Sequence, residues 1–293
     1  MSSHSAVERE DDEAVEAGLD ALTSPQAAPP DKRARFVGRV LPPVIALVVI
    51  GCLWQALWAA AFWPEYQLPA PAAVLDQIVQ QVRSGQIVGF LWVSVHRAVI
   101  GFAVSVVVAV PLGLLIANVP PVRRAIGPLI SGLQSLPSVA WVPAGVLWFG
   151  LTDYAIYFVV LLGAVPSIAN GLVSGVDQIP PIFHRVGLVI GATRLTAVRH
   201  VLLPAALPGF LAGLKQGWAF SWRSLMAAEL IATSPQLGVG LGQVLHNGMS
   251  LSDMSLVMAA ILLIFFVGVG IELALFRPLE RSVLRARGLG GGL

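Results

Sequence analysis

Residues 191–208, with the sequence GATRLTAVRHVLLPAALP, form a short basic segment between two strongly apolar stretches of the chain. The dipeptide Pro180-Pro181 stands before this segment, and a run of membrane length follows it. The segment's composition is compatible with a helix. A chain that crosses a membrane several times and keeps such a segment in the cytoplasm offers a surface to a soluble partner. We therefore expect the function to depend on this segment.

The composition of the chain predicts an all-α integral membrane protein. Hydrophobic residues make up 56% and charged residues 12% of the 293 positions, whereas soluble domains are roughly 25% charged. The mean hydropathy is +0.80. Such a chain cannot cover a water-facing surface with polar side chains, so most of it must face lipid. The single cysteine, Cys52, lies in an apolar run and provides neither a disulfide framework nor a metal site.

The first 31 residues differ in composition from the rest. Eight of the 16 acidic residues lie there, opposed by the single cation Arg9, and no sustained apolar face is present. Such a segment cannot bury enough apolar surface to fold, and we interpret residues 1–31 as a disordered acidic cytosolic tail. Residues 32–293 form the predicted transmembrane domain. Its first span is retained, because no signal-peptide pattern precedes it.

Six transmembrane helices are predicted from the apolar runs. They cover about residues 40–63, 97–118, 125–150, 154–176, 205–232 and 254–276. We also expect an amphipathic helix at 72–83 on the outer membrane surface, and an outer loop at 233–253. Gly209, Gly213 and Gly217 recur at four-residue intervals in the fifth span, which favours close helix packing.

Cationic residues predict the orientation of these spans. Fourteen Lys and Arg residues lie in the predicted inner regions, whereas Arg83 lies outside and Arg97 stands at a span boundary. Segments rich in Lys and Arg stay on the cytoplasmic side of a membrane. Both termini are therefore expected to be cytoplasmic.

The sequence contains no pattern typical of a catalytic site. It has no metal-spaced His/Glu cluster, no serine nucleophile elbow, no paired carboxylates and no Gly-x-x-x-x-Gly-Lys-Ser/Thr loop to hold nucleotide phosphates. We therefore expect a protein that is not an enzyme, with no catalytic residue, no metal site and no cofactor of its own. The energy for any transport must come from an ion gradient or from a partner.

Four charged residues in the last two spans are functional candidates, because charges at membrane depth must face protein or water. They are Lys215, Arg223, Glu229 and Glu272. Arg223 and Glu229 are six positions apart, which is about 9 Å along a helix and places them on different faces. They are not expected to pair with each other. Glu272 is expected to pair with neighbouring arginines near the inner end of its span.

The region after Pro181 resembles a motif of the inner-membrane permease subunits of ATP-binding-cassette importers. That motif has Glu-Ala-Ala, three residues, Gly, nine residues, a hydrophobic residue, one residue and Leu-Pro. Gly191, Val201 and Leu203-Pro204 match it, whereas Arg185-Val186-Gly187 occupy the Glu-Ala-Ala positions. Further matching phrases are LPAP at 68–71, LPSVAWVP at 136–143, LWFG at 147–150 and WRSLMAAEL at 222–230.

The resemblance covers most of the chain from Trp54 to Arg287 and implies the fold of a type I importer permease. It implies a homodimer in the bacterial plasma (inner) membrane, a dimer of cytosolic ATPase subunits that hold ATP and magnesium, and an extracytoplasmic solute-binding protein. No nucleic-acid partner is expected. A coupling helix at about 181–200 would dock on the ATPase, and Arg185 in place of the family's acid implies either a different charge partner there or a contact that is not ionic.

The resemblance also assigns site residues. Those expected to contact the ATPase are Phe183, His184, Arg185, Gly187, Gly191, Ala192 and Arg194. Those expected along the substrate pathway are Trp222, Arg223 and Glu229.

The predicted function is ATP-driven import of a small anionic or zwitterionic solute by alternating access. Sulfonates, taurine, nitrate, bicarbonate and pyrimidine precursors of thiamine all remain open as solutes. A second interpretation is a stand-alone secondary transporter driven by protons or sodium, which would favour more intramembrane carboxylates and internal repeats. A third is a membrane anchor for a cytosolic complex, which would explain the basic inner segment but not the broken spans.

Overall fold

The computed structural model describes residues 32–180 and 203–285. Regular structure in these ranges is helical and comprises ten α-helices, two 3-10 turns and one π-helical turn. The α-helices are α1 Lys32–Ala59, α2 Pro71–Arg83, α3 Gln86–Asn118, α4 Pro120–Ser135, α5 Val142–Phe149, α6 Asp153–Asp177, α7 Leu203–Ile231, α8 Leu241–Ser250, α9 Met254–Ile271 and α10 Arg277–Arg285. The 3-10 turns cover Ser138–Trp141 and Pro235–Leu237, and the π turn covers Glu272–Phe276.

The chain divides into two compact units, residues 1–60 and 61–293. The first unit contains α1, whose stretch Leu41–Ala59 has a mean hydropathy of 1.9. Its side chains between residues 41 and 53 are exposed and almost entirely apolar, as a lipid-facing helix requires. The second unit contains all the other described helices.

Four described helical stretches are long and apolar enough to cross a membrane, and a bent helix pair would make a fifth. The four are Leu41–Ala59, Gln86–Asn118, Asp153–Asp177 and Met254–Val283, and the pair is Pro120–Ser135 with Ser138–Phe149. The predicted helical membrane protein is confirmed, and the predicted count of six spans in part. The remaining predicted span corresponds to α7, which has 29 residues but is less apolar, since it carries Lys215, Gln216 and Arg223.

The predicted third span is sharply bent rather than continuous. Its two parts, α4 and the 3-10 turn continuing into α5, meet at 98°. Leu136 at the bend has the extended conformation φ −78°, ψ 128°. A residue that precedes a proline is disfavoured in the helical region, and Pro137 follows. The break in this span therefore lies at Leu136-Pro137.

Two predicted boundaries are wrong. The helix expected to begin at Arg97 begins at Gln86, so Arg97 lies three turns inside α3 and is buried. The outer loop expected at 233–253 contains the ten-residue helix α8. The predicted short helix at 72–83 agrees with α2.

Helices α6 and α7 form the central contact of the second unit. Gly171 and Gly175 of α6 face Gly213 and Gly209 of α7, and a Cβ atom added to Gly213 would lie 2.7 Å from the Cα atom of Gly171. A Cβ atom on Gly175 would lie 2.7 Å from the carbonyl oxygen of Ala206. Glycine is needed here because the two backbones touch. The close packing predicted from the glycine spacing is confirmed.

Polar side chains connect α6 and α7 to the bent segment that contains α4 and the 3-10 turn after it. The amide of Gln134 in α4 donates to Ser167 at 3.2 Å and accepts from Asn170 at 2.7 Å, both on α6. The hydroxyls of Ser138 and Ser224 lie 2.7 Å apart. Polar groups at membrane depth need such partners, because lipid offers none.

Candidate functional site

The residues predicted to contact the ATPase all lie outside the described residues. They are Phe183, His184, Arg185, Gly187, Gly191, Ala192 and Arg194. The three predicted pathway residues, Trp222, Arg223 and Glu229, are described, and the structure places them in three different surroundings.

Glu229 belongs to a buried ionic cluster near the end of α7. Its carboxylate accepts hydrogen bonds from Arg97 Nη1 at 3.1 Å and from the Ser94 hydroxyl at 2.7 Å, both on α3. The side chains of Arg97 and Glu229 are only 6% and 2% exposed. Arg97 Nε also donates to Asp153 at 2.7 Å, at the start of α6. One arginine thus joins three helices, and Glu229 is closed off from solvent.

The same cluster holds the segment between α7 and α9. Arg97 Nη2 donates to the carbonyl oxygen of Leu237. The backbone N–H of Leu241 donates to Ser94 at 2.8 Å, and that of Gly242 donates to Glu229 at 3.0 Å. A Cβ atom at Gly240 would lie 2.5 Å from Glu229 Oε1, so only glycine fits beside the carboxylate. Every described polar atom of the cluster is satisfied, which is the condition under which a buried ion pair is tolerated.

Lys215 of α7 and Glu272 form another interhelical ion pair, with Nζ and Oε1 2.9 Å apart. Their side chains are 43% and 44% exposed. The prediction that Glu272 pairs with an arginine is wrong, because its partner is Lys215 on the neighbouring helix. Glu272 is the first residue of the π turn, and such turns are frequent at functional sites.

Arg223 has no carboxylate partner among the described residues. Its Nε donates to the carbonyl oxygen of Ala219 at 3.1 Å, and its guanidinium lies 4.5 Å from the ring centre of Phe220. The side chain is exposed. The prediction that Arg223 and Glu229 do not pair with each other is confirmed.

Trp222 is buried, with 7% of its surface exposed. Its ring stacks on Trp218, with ring centres 6.3 Å apart, and its Nε1 donates to the carbonyl oxygen of Ile264 at 3.3 Å. Trp222 therefore forms part of the wall between α7 and α9.

Two adjacent cavities follow α7 along its contact with α9, the π turn and α10. The first, of about 330 Å³, is lined by Lys215, Gln216, Glu272, Phe276 and Glu280, among others. The second, of about 480 Å³, is lined by Trp222, Arg223, Leu245, Ile264 and Phe265, among others. Both are also lined by Trp218, Ala219 and Glu272. We call the two together the α7 groove.

The α7 groove is almost as long as a membrane is thick. Its lining residues on α7 run from Pro208 to Met226, which corresponds to about 27 Å at 1.5 Å per residue. The hydrocarbon core of a bilayer is about 30 Å thick. The groove combines the charges of Lys215, Arg223 and Glu272 with an apolar wall from α9.

The exposed face of α7 differs from a lipid-facing surface. Ala212, Gln216, Ala219 and Arg223 are exposed at helical spacing and form one stripe. The stripe has small and polar residues in place of large apolar ones. An unneutralised guanidinium and an amide at membrane depth require water, a solute or another protein surface beside them.

Sequence reasoning missed the contribution of Ser94 and the burial of Arg97. The apolar run from Ile87 to Ile116 contains Arg97 as its only formal charge, and that position is a signal that could have been used. Ser94 gives no signal, because a serine in a membrane helix is usually bonded to its own backbone.

Comparison with known proteins identifies the family. The profile described as "Binding-protein-dependent transport system inner membrane component" matches residues 109–284, which is more than half of the chain.

Two curated relatives show how widely the similarity extends. The chain is 26% identical to the putative aliphatic sulfonates transport permease protein SsuC of Bacillus subtilis, over 85% of this chain and 87% of the relative. It is also 26% identical to the nitrate import permease protein NrtB of a Synechocystis strain, over 78% of this chain and 84% of the relative.

A solved structure supports the fold. A chain of the MetNI methionine ABC transporter in inward-facing conformations matches with a TM-score of 0.57 and 21% identity, over 67% of this chain and 95% of that chain. The predicted resemblance is confirmed by these matches, and as an importer permease the chain implies an ATPase partner and a binding protein. The chain belongs to the family of binding-protein-dependent transport system inner membrane components, and is the multi-pass, non-catalytic permease subunit of an ABC importer.

Proposed function

We propose that two copies of this chain form the translocation pathway for a small anionic or zwitterionic solute, and that a dimer of ATPase subunits drives alternating access. The observation that carries the proposal is the surroundings of Arg223. This guanidinium is exposed on a membrane-length helix, has no carboxylate partner among the described residues and lines the α7 groove. An unneutralised cation in that position attracts anions and requires a wet surface.

The topology that we propose has six spans with both termini in the cytoplasm. The spans are α1, α3, the bent pair α4–α5, α6, α7, and α9 with its extension to α10. The length of α7 supports its inclusion, and its polar face suits a helix that lines a pathway rather than one that faces lipid. The α7 groove would then open toward the partner copy.

The segment at about 181–200 is proposed to be the coupling helix. Its position between α6 and α7 supports this role, because these two helices are packed backbone to backbone through Gly171 and Gly213. A force applied between them at one end would reach the whole pair. Phe183, His184, Arg185, Gly187, Gly191, Ala192 and Arg194 are the proposed contacts with the ATPase.

Within the anionic class, the relatives do not favour one solute. At equal identity, one relative is named for aliphatic sulfonates and the other for nitrate. Trp222 is proposed to form a wall of the pathway through the groove that it lines. Glu229 is better suited to holding the cluster together, because both its oxygens are bonded to protein.

The first experiment is purification of the tagged chain in mild detergent, with identification of the subunits that accompany it. We expect a P-loop ATPase in equal amount. The complex, reconstituted in liposomes with its binding protein, is then assayed for ATP-driven uptake of taurine, methanesulfonate, nitrate and bicarbonate. Uptake driven by an ion gradient, by a chain that carries no ATPase, would overturn the proposal in favour of a secondary carrier.

The second experiment tests Arg223 directly. We expect Arg223→Ala to lower kcat/KM for the transported anion about tenfold or more, because an ionic hydrogen bond contributes about 1.5–3 kcal/mol. Arg223→Lys should retain part of the activity. Arg83→Ala, at the exposed end of α2, is the matched control and should have no effect. Normal uptake by Arg223→Ala would make Arg223 a structural residue.

A further inference from the structure

The Lys215–Glu272 pair lies where the two cavities of the α7 groove meet. Glu272 lines both cavities, and Lys215 lines the first, which it shares with Gln216. Ala219, one helical turn after Lys215, also lines both. The pair therefore lies at the junction of the two cavities.

The two cations of the groove are arranged in series. Arg223 lines the second cavity, and Lys215 lies eight positions earlier on the same helix. Eight residues correspond to about 12 Å along the helix axis. An anion that leaves Arg223 and moves toward the start of α7 therefore meets Lys215 next.

Glu272 neutralises Lys215, and an incoming anion can take the place of its carboxylate. Both side chains are more than 40% exposed, and ion pairs in such surroundings are weak because water and salt compete with them. The contrasting pair is Arg97 with Glu229, which is closed on all sides by protein. An anionic group arriving through the groove can replace Glu272 beside Lys215, but no solute can reach Arg97.

Two features favour release after this contact. Glu272 is held near Lys215 by the chain even after an anion has displaced its carboxylate, so it competes with the anion for the ammonium group of Lys215. Glu280 lines the first cavity as well, so a second carboxylate repels an anion that remains there.

We propose that Lys215 is a second anion contact of the α7 groove and that Glu272 is its replaceable counter-ion, so that an anionic solute passes from Arg223 to Lys215 by displacing Glu272. This inference rests on the proposed transport function. It assigns the pair a role in the passage of anions, whereas a simple interhelical link would serve only stability.

The first test measures access of anions without knowledge of the natural solute. Cys52→Ser removes the single native cysteine, and Ala219→Cys places a thiol where both cavities meet. The purified complex is treated with an anionic sulfonatoethyl or a cationic trimethylammonioethyl methanethiosulfonate. We expect Lys215→Met to slow the anionic reagent about tenfold and Glu272→Gln to accelerate it, with the opposite changes for the cationic reagent. Equal changes for both reagents would overturn the proposal.

The second test uses the anion that the wild-type complex transports. Lys215→Met should lower kcat/KM about tenfold, and Glu272→Gln should lower KM and kcat together because the anion is held longer at Lys215. Lys215→Arg should keep most of the activity. The double variant Lys215→Met/Glu272→Gln removes the pair without leaving a lone charge. A purely structural pair predicts that the double variant recovers wild-type uptake, and that recovery would overturn the proposal.

The failure of this inference can be told apart from failure of the transport function. Suppose that Arg223→Ala lowers ATP-driven uptake, but Lys215→Met does not change the rates at which the two reagents react with Ala219→Cys. The proposed permease function is then supported, and the second anion contact is wrong. If Arg223→Ala transports normally, Arg223 is a structural residue and the proposed pathway along the α7 groove is wrong.

Discussion

Two of the interhelical ion pairs in the second unit, Arg97–Glu229 and Lys215–Glu272, have similar chemistry and opposite surroundings. Arg97 and Glu229 are buried, and Ser94, Asp153 and backbone groups of the 237–242 segment complete their hydrogen bonding. Lys215 and Glu272 pair with each other, and their side chains are 43% and 44% exposed. The first arrangement suits a permanent cross-link, whereas the second suits a contact that is made and broken. Burial, and not the residue types, separates the two roles.

The largest effect is expected from removing one partner of the buried pair. Glu229→Ala leaves the buried guanidinium of Arg97 with only the half-exposed Asp153 as its counter-charge, and breaking a buried ion pair costs about 3–5 kcal/mol. We expect a lower thermal unfolding temperature in detergent and poor recovery of the complex. The matched control is Glu272→Ala, which should leave the unfolding temperature nearly unchanged.

A double variant sharpens this expectation. Arg97→Met with Glu229→Leu removes both charges at once, and replacing a buried ion pair by apolar groups is often neutral or stabilising. It should recover part of the stability lost in Glu229→Ala. A double variant as unstable as the single one would contradict this expectation. It would mean that the bonds of Ser94 and Asp153 to the pair stabilise the fold more than the attraction between Arg97 and Glu229 does.

The next effect concerns the glycine contact between α6 and α7. Gly213→Val inserts a branched side chain where a Cβ atom would already lie 2.7 Å from the Cα atom of Gly171, and overpacking of this kind costs about 1–3 kcal/mol or more. We expect lower stability and loss of uptake. Gly270→Ala is the control, since a Cβ atom there meets nothing within 4 Å. Wild-type stability of Gly213→Val would show that α6 and α7 can separate freely.

The smallest effect on stability is expected at the exposed pair. Lys215→Met should change the free energy of unfolding by no more than about 1 kcal/mol, because half-exposed ion pairs contribute little. The same variant should nevertheless reduce uptake. A large loss of stability would remove the contrast between the two pairs and assign both a structural role.

Much of the fold follows from local sequence, and the reason is physical. Apolar runs of membrane length predict spans, and the bend at Leu136-Pro137 follows from the restriction that proline places on the preceding residue. The spacing of Gly209, Gly213 and Gly217 predicts a close helix contact. These features depend on neighbours in sequence, so they can be recognised without a structure.

The partnerships of the site depend on residues far apart in the chain. Arg97 and Glu229 are separated by 132 positions, and no local pattern indicates that they meet. The prediction that Glu272 pairs with an arginine failed for the same reason, because Lys215 lies on another helix. Helix α8 was missed because its ten residues are too short and too polar to stand out from a loop.

The glycine contact between α6 and α7 also has a mechanical consequence. Where two backbones touch with no side chains between them, no soft layer is available to absorb displacement. The pair therefore behaves as a stiff lever arm. A tilt imposed where α6 ends and α7 begins would therefore rotate both helices together. Asp153 and Glu229, at the far end of the pair, would move through a similar angle.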